Sequence, residues 1–265
     1  MHVHPHCEQQ LNTHIEIFAI GNELCYGRVY DTNSFWIADQ VTRLGAKVQR
    51  ITVVPDIVEE ICIVLQDTLD RKPDFIIFTG GLGPTADDVT IECLSKVIDV
   101  EIETNNEIFQ ALAEREGVTA DDYPSIAKMT RSLKGATCLP NPVGWAPITL
   151  IDKDGTTLAA LPGPPKEMKA CFTEYLAERI RERTRYRSIS KRVFVRMYED
   201  KASSISDEIM EKIPGTFLKP LVADYHHEKG LPIDIIAFGE NEKTCRLRIR
   251  EAIKKLRELD KDKSI

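Results

Sequence analysis

A buried strand that runs directly into a glycine-rich turn constrains this chain more than any other feature. The apolar run Phe75–Phe78 predicts a parallel strand, and Gly80, Gly81 and Gly83 follow it, before a helix start predicted near Thr85. Glycines let backbone N–H groups approach an anion closely, and a helix N-terminus adds the positive end of its dipole. The turn therefore predicts a phosphate-binding segment at the end of a strand.

Two carboxylates, Asp87 and Asp88, follow the glycines directly. Bare carboxylates repel a phosphate, so the pattern predicts a divalent cation between them, of the Mg²⁺, Mn²⁺ or Co²⁺ type. The segment lacks the Lys-Ser/Thr pair of a P-loop and the G-x-G-x-x-G spacing of dinucleotide-binding turns. The structural alternative is a capping box over Thr85–Asp88, since acidic residues in a first helical turn stabilise it by about 0.3–1 kcal/mol.

The composition indicates a globular cytoplasmic protein. The chain has 265 residues, 42% of them hydrophobic, and no apolar run approaches the roughly 18 residues that a membrane helix needs. Its polar start is not a secretory signal, and seven scattered cysteines are typical of a reducing compartment. His2, His4, His6 and Cys7 could chelate a metal, but a frayed tail is the simpler interpretation.

The net charge of −7 hides an asymmetry along the chain. Residues 1–176 hold 14 Lys/Arg and 26 Asp/Glu, whereas residues 177–265 hold 21 and 16. An acidic front half argues against nucleic acid as a general partner and favours a phosphorylated small molecule, with a metal supplying positive charge. The back half is mildly basic, so nucleic acid remains an alternative partner for that half alone.

Strands and helices alternate through the front of the chain. Strands are predicted over 15–20, 47–54 and 75–78, and helices over 32–44, 56–70 and 87–98. This alternation predicts an α/β domain in three layers, with a parallel sheet covered on both faces. Further helices are predicted over 104–134 and strands over 137–161, and the segment 161–168 is predicted to open a helix that runs to about 183.

The back of the chain predicts a small α+β unit. It has strands over 191–197, 216–223 and 232–238, and helices over 203–212 and 242–259. An arginine-rich stretch without an apolar face separates it from the front, so we expect domains at 14–183 and 190–260.

Other carboxylates are expected on the same edge of the sheet as Asp88. Glu23 lies in the first strand–helix loop and Asp56 follows the end of the second strand, and parallel strands share the edge at which they end. The alternatives are a solvated side chain for Glu23 and a helix N-cap for Asp56. Asp31 and Asn33 precede a helix, so N-capping and ligand contact both stay open.

Four ordered motifs resemble those of the competence/damage-inducible protein CinA family, in a short form without its deamidase domain. They are Gly21–Gly27 with Asp31–Asn33, Thr79–Thr90, Asn141–Gly144 and Leu161–Met168. The resemblance implies a molybdopterin-binding MoaB/Mog-like domain, shared with molybdopterin adenylyltransferase and some FAD synthases, followed by a small KH-like unit. It also implies ADP-ribose pyrophosphatase activity, whereas 265 residues leave no room for the nicotinamide-nucleotide deamidase domain.

The resemblance adds further candidate site residues. It implies backbone contacts to a base or pterin at Asn141 and Gly144, although turn formation is the structural alternative. Gly163 could let the backbone approach a phosphate or form a rigid helix entrance, and Lys166 is a weaker candidate phosphate contact. The chain departs from the family pattern at Trp145, at Ile148 and over Met197–Asp200.

Three functions remain open. The first is metal-dependent pyrophosphatase action on ADP-ribose or a similar dinucleotide, the second is adenylyl transfer to bound molybdopterin, and the third is non-catalytic ligand or nucleic-acid binding. A homo-oligomer is also expected. In the first hypothesis the catalytic carboxylates are Asp56 and Asp88, the metal ligands are Glu23, Asp87 and Asp88, and the ligand contacts are Gly80, Gly81, Gly83, Thr85, Asn33, Asn141, Gly144 and Gly163.

Overall fold

The computed structural model describes residues 13–117 and 124–261. Contacts between Cα atoms divide these residues into two compact units, one formed by 13–40 with 47–180 and the other by 41–46 with 181–261. The predicted domain bounds at 14–183 and 190–260 stay a prediction. No helix of the described residues is long and apolar enough to cross a membrane.

The strands of the described chain are numbered in order. They are β1 His14–Ile20, β2 Lys47–Val54, β3 Phe75–Thr79, β4 Ile102–Thr104, β5 Arg131–Leu133, β6 Thr137–Leu139, β7 Ile148–Lys153, β8 Thr156–Leu161, β9 Arg187–Val195, β10 Thr216–Pro220 and β11 Leu231–Gly239.

The helices are numbered in the same way. They are α1 Asn22–Cys25, α2 Thr32–Arg43, α3 Val58–Asp70, α4 Thr90–Ile98, α5 Asn106–Glu116, α6 Pro124–Met129, α7 Pro165–Cys171, α8 Ala177–Arg183, α9 Glu199–Lys212 and α10 Glu242–Lys261. A π-helical turn, Phe172–Leu176, joins α7 to α8, and a 3₁₀ turn, Val222–Asp224, follows β10.

The first unit is built on a six-stranded sheet in the order β2-β1-β3-β8-β7-β6. The first four strands of that order run parallel to one another, and β7 and β6 are antiparallel to their neighbours. All residues of β3 and β8 are buried, as are those of β1 after its first residue. The prediction of an α/β fold with a mostly parallel central sheet is therefore confirmed.

The core on one face of this sheet is aromatic at its centre. Phe18 of β1 and Phe78 of β3 are direct neighbours in the parallel register, and their rings stack with centroids 5.1 Å apart. Leu65 of α3 and Leu94 of α4 pack into the same cluster and are fully buried. Burial of each such side chain stabilises the fold by roughly 1.5–3 kcal/mol, so this cluster holds both helices against the sheet.

Two helices begin later than the sequence predicts. Helix α3 begins at Val58 instead of Asp56, and no side chain caps it. Helix α4 begins at Thr90 instead of Asp87, because the Thr90 amide donates to the Gly81 carbonyl and the Thr90 hydroxyl donates to the Gly80 carbonyl. The helix start is thereby tied to the end of the strand.

The prediction of helices throughout 104–134 is wrong at its edges. Strands β4 and β5 pair antiparallel in a separate two-stranded sheet. Each has only three residues, which is too short for the alternation of polar and apolar residues that identifies a strand.

The second unit is an α+β structure with a three-stranded antiparallel sheet in the order β10-β11-β9. Ile233 and Ile235 of β11 face a core that also contains Ile209 of α9 and Ile249 of α10. Both helices therefore cover the same face of the sheet, and β9 lies at its edge. The KH-like character of this unit stays a prediction.

A buried ion pair anchors β1 to the end of α3. The Glu16 carboxylate is 1% exposed and accepts two hydrogen bonds from the Arg71 guanidinium, of 2.8 and 2.6 Å. A second guanidinium, on Arg50, lies 3.7 Å away and is half exposed. Hydrogen bonding to Glu16 raises the pKa of Arg71, so this guanidinium stays charged.

We expect Arg71→Ala to lower the free energy of unfolding by about 3–5 kcal/mol, because it leaves the Glu16 carboxylate buried without its bidentate partner. Arg50→Ala is the matched control and should cost less than about 1 kcal/mol, since the Arg50 guanidinium is half exposed and lies 3.7 Å from Glu16. Urea unfolding of both variants measures the difference. Equal losses would contradict the assignment of Arg71 as the main partner.

Candidate functional site

A cavity of about 790 Å³ opens at the carboxyl ends of β1 and β3. In the sheet, β2 lies on one side of β1 and β3 lies on the other. The direction in which successive strands are added therefore reverses between β1 and β3. Ligands of open α/β sheets collect at such a switch point. The lining residues that the sequence nominated are Glu23, Asp31, Asn33, Asp56, Gly80, Gly81, Gly83, Thr85, Asp87, Asp88 and Gly163.

Gly80 has a different role from the one expected. Its φ is +101°, and a Cβ at this position would lie 2.3 Å from the Ile20 carbonyl oxygen. Its amide donates to the Leu161 carbonyl at 3.2 Å, which extends the pairing of β3 with β8. Because this N–H is already engaged, it is not free to hold a phosphate, and that part of the expectation is corrected.

The next three residues have backbone amides without protein partners. In residues 13–117 and 124–261, no acceptor is hydrogen-bonded to the N–H of Gly81, Leu82 or Gly83. All three residues line the cavity. A Cβ at Gly81 would lie 2.3 Å from the Thr90 hydroxyl, so a larger residue cannot occupy this turn without displacing α4. The expected phosphate contact at Gly81 and Gly83 stays a prediction.

The segment Thr85–Asp88 closes on itself ahead of the helix. The Thr85 amide and hydroxyl lie 2.8 and 2.6 Å from Asp88 Oδ2, and the hydroxyl also reaches Asp87. This hydroxyl holds the pKa of Asp87 below its ordinary value. Lys128 of α6 donates to the Thr85 carbonyl. These bonds form a turn that precedes α4, so the capping-box alternative does not describe the start of this helix.

Asp56 links two loops of the site and does not cap α3. Its Oδ2 accepts a hydrogen bond of 2.7 Å from the Asn22 amide, in the loop after β1. Burial raises the pKa of Asp56, the Asn22 bond opposes this shift, and the charges of Glu23, Asp87 and Asp88 add to it. A carboxylate with a raised pKa in a cavity is a candidate acid or base.

The predicted metal ligands share the cavity without forming a metal site. Within the described part of the chain, no three His, Cys, Asp or Glu side chains lie close enough together to hold an ion. The Glu23 carboxylate lies over the backbone of Gly21, where a Cβ would be 2.6 Å from its oxygen. Oxygens of Asp87 and Asp88 already accept from Thr85. The candidate ligands His2, His4, His6 and Cys7 lie outside the described residues.

Asn33, a residue that lines the cavity, has a buried acceptor without a partner in the described part of the chain. Its Nδ2 donates to Thr79 Oγ1 at 2.8 Å and to the Gly163 carbonyl at 2.7 Å. A carbonyl oxygen can only accept, so the amide orientation is fixed. Its Oδ1 is buried and has no hydrogen-bond partner among the described residues. Asp31, in contrast, caps α2, because its Oδ1 accepts from the Ser34 amide at 2.9 Å.

Asn141 and Gly144 affect the cavity indirectly, through their contacts with Glu167. Asn141 is 2% exposed, and its side chain bonds to Glu167, to the Ala146 carbonyl and to the Val143 amide. A Cβ at Gly144 would lie 2.0 Å from the Glu167 carboxyl carbon. Neither residue lines the cavity, so turn formation, the structural alternative, describes Asn141. Gly144 leaves room for Glu167.

Several lining residues were not predicted. Glu167 accepts from the Asn141 side chain at 2.7 Å and from the Trp145 amide at 3.2 Å, and it lines the cavity. Sequence reasoning missed Glu167 because a glutamate in a first helical turn is usually an ordinary surface residue. Its neighbour Lys166, the weaker candidate phosphate contact, is exposed and does not line the cavity. Trp145 and Met129 add apolar surface, whereas the other departure, Ile148, is buried in β7.

Comparison with known proteins shows relatives over nearly the whole chain. Residues 16–182 match the family described as "Probable molybdopterin binding domain". A protein of Pyrobaculum calidifontis is 37% identical over 259 residues, covering 93% of this chain and 95% of the relative. One of Sulfurisphaera tokodaii is 34% identical over 257 residues, covering 92% and 94%.

A solved structure resembles the first part of the chain. The crystal structure of the protein CinA with unknown function from Thermoplasma acidophilum superposes with a TM-score of 0.59 at 32% identity. The match covers 63% of this chain and 98% of that chain. It agrees with the motif resemblance noted in the sequence.

We expect Asp56→Asn to stabilise the protein at neutral pH, by less than about 1 kcal/mol because the side chain is only half buried. The folded chain holds the Asp56 proton more tightly than the unfolded chain. Ionisation therefore lowers the free energy of unfolding as the pH rises from about 3.8 through the higher folded pKa. The gain should be present at pH 7 and absent near pH 3.

Thermal unfolding across this pH range measures the effect, and the exposed Asp67→Asn is the matched control, with no gain expected. A loss of stability in Asp56→Asn at pH 7 would show that the Asn22 hydrogen bond outweighs burial and repulsion.

Proposed function

Since the chain belongs to the family of the molybdopterin binding domain, we propose that its cavity binds a phosphorylated pterin of the molybdopterin type. Within that family, we infer that it is a CinA-type protein. The four ordered motifs and the likeness to the Thermoplasma acidophilum protein support this assignment. One observation carries the ligand proposal: the described residues that line one cavity include three with unpartnered backbone donors and one with a buried, unpartnered side-chain acceptor.

The backbone amides of Gly81, Leu82 and Gly83 are the proposed phosphate contacts. Hydrogen bonds from N–H groups to a charged acceptor contribute about 1.5–3 kcal/mol each, more than bonds between neutral groups. Since no protein group of the described chain uses these donors, a phosphate would meet them without breaking an existing bond.

The Asn33 side chain is the proposed contact to the pterin ring. A buried acceptor that makes no hydrogen bond is costly, so its Oδ1 favours a ligand with an N–H or O–H donor at that point. A pterin ring carries N–H donors and a flat apolar face. Trp145 and Met129 line the same cavity and could pack against such a face.

The carboxylates of the cavity set the electrostatic condition for this ligand. Glu23, Asp56, Asp87 and Asp88 all disfavour a phosphate, and no described trio of side chains holds a metal. Mg²⁺ is commonly bound by one or two carboxylates together with the phosphates of its ligand. We therefore propose that any divalent ion enters with the ligand and that the protein alone binds it weakly.

Calorimetry with molybdopterin and with its dephosphorylated form, under anaerobic conditions and with Mg²⁺ present, tests this proposal. We expect the phosphorylated form to bind at least tenfold more tightly, which corresponds to about 1.4 kcal/mol. Asn33→Ala should weaken both forms by about tenfold or more. Thr79→Val is the matched control, because it removes one internal partner of Asn33 but leaves its Oδ1 in place, and it should cost less than about threefold.

Equal affinity for the two pterin forms would overturn the role of the free amides. Equal losses in Asn33→Ala and Thr79→Val would show that the internal hydrogen bonds, and not a ligand contact, matter. No binding of either pterin would overturn the proposal as a whole.

A second candidate function is hydrolysis of a nucleotide diphosphate such as ADP-ribose, and the raised pKa of Asp56 favours it. In this reaction Asp56 takes a proton from water, the water oxygen bonds to one phosphorus, and the bond from that phosphorus to the bridging oxygen breaks. The two products are AMP and ribose phosphate. Asp56 is a better candidate base than Asp87, whose pKa is lowered.

AMP release from ADP-ribose and from FAD, with Mg²⁺, Mn²⁺ or Co²⁺, measures this activity. We expect Asp56→Asn to reduce turnover by about a hundredfold or more, and Asp67→Asn to leave it unchanged. Turnover should rise with pH through the raised pKa of Asp56, because only the ionised carboxylate accepts a proton. Absence of AMP release by the wild-type protein would eliminate this candidate and leave pterin binding untouched.

A further inference from the structure

A second concave surface lies within the second unit, between the edge strand β9 and helix α10. We call it the basic groove, and its volume is about 490 Å³. Its lining residues are Lys191, Val193, Arg250, Ile253, Lys254, Arg257 and Glu258. Four of these seven side chains are cationic and one is acidic.

The cations of the groove come from two elements that face each other. Arg250, Lys254 and Arg257 recur at helical spacing with Ile253, so they lie on one side of α10. Lys191 projects from β9 to the same face of the sheet as Val193, which packs against the core beneath α10. The groove therefore has an apolar floor with positive charge on both walls.

Most of this positive charge is not neutralised by the protein. Among the described residues, only Lys254 of the four cations forms an ion pair, with Glu258 at 3.7 Å. Elsewhere on α10, Arg246 pairs with Glu242 and Arg248 donates to the Phe238 carbonyl, whereas Lys243 and Lys255 form no ion pair among the described residues. The groove therefore gathers three unpaired cations on one concave surface, which strengthens their field on an anion.

We propose that the basic groove binds the phosphodiester backbone of a single-stranded nucleic acid. Arg250 and Arg257 lie about 10 Å apart along the helix, which is far enough for each guanidinium to contact a different phosphate of one strand. Planar guanidinium groups bind phosphate through two parallel hydrogen bonds, and the apolar floor at Val193 and Ile253 suits the sugar and base of a nucleotide. The acidic first half of the chain confines this binding to the second unit.

The test uses the full chain and a fluorescently labelled 12-nucleotide RNA of mixed sequence, followed by fluorescence anisotropy over a range of salt concentrations. We expect affinity to fall steeply with salt, because bound phosphates release their counterions. The double variant Arg250→Gln with Arg257→Gln should bind at least tenfold more weakly. Its slope of log affinity against log salt should be smaller by about 1.4, or about 0.7 for each lost contact.

The matched control is Lys243→Gln with Arg246→Gln, which removes the same charge from the same helix outside the groove. It should change affinity by less than about threefold. Equal losses of RNA affinity in the two double variants would show that α10 attracts RNA non-specifically. That result would overturn the groove as the binding site. No RNA binding near 0.1 M salt, or equal competition by polyglutamate or inorganic tripolyphosphate, would overturn a nucleic-acid ligand. Circular dichroism checks that all variants are folded.

Discussion

The close passage of the backbone at Gly80 is the constraint on which the rest of the first unit depends. Here the end of β3 runs so near the Ile20 carbonyl that no side chain fits, while the Gly80 amide bonds to Leu161 and its carbonyl accepts from Thr90. Three adjacent strands and the start of α4 are joined at one residue. The turn that follows Gly80 therefore begins at the switch point of the sheet, and its backbone amides lie there.

The site combines attraction and repulsion for the same kind of ligand. Free amides favour an anion, whereas the carboxylates around Asp56 disfavour one, and burial together with these charges raises the pKa of that residue. Such an arrangement is selective, since a ligand must bring its own positive charge or place its phosphate at the amides. Glu167 accepts hydrogen bonds from the Asn141 side chain and the Trp145 amide, so it ties this segment to the start of α7.

Local patterns in the sequence were sufficient for the parallel strands and for all the carboxylates that line the cavity except Glu167. The apolar run of β3 and the turn after it identify the site, because burial and glycine geometry are local properties. The starts of α3 and α4 were misplaced because Asp56 bonds to Asn22 and Thr90 bonds to Gly80, and these partners are distant along the chain. Glu167 was missed for the same reason, since its partners lie more than twenty residues away.

The fixed orientation of the Asn33 amide makes this position intolerant of a carboxylate. Exchange of the amide for a carboxylate would place an oxygen where Nδ2 now lies, 2.7 Å from the Gly163 carbonyl. Two oxygen acceptors at that separation repel each other, so the side chain would rotate away and the segment before α7 would lose its tie to α2.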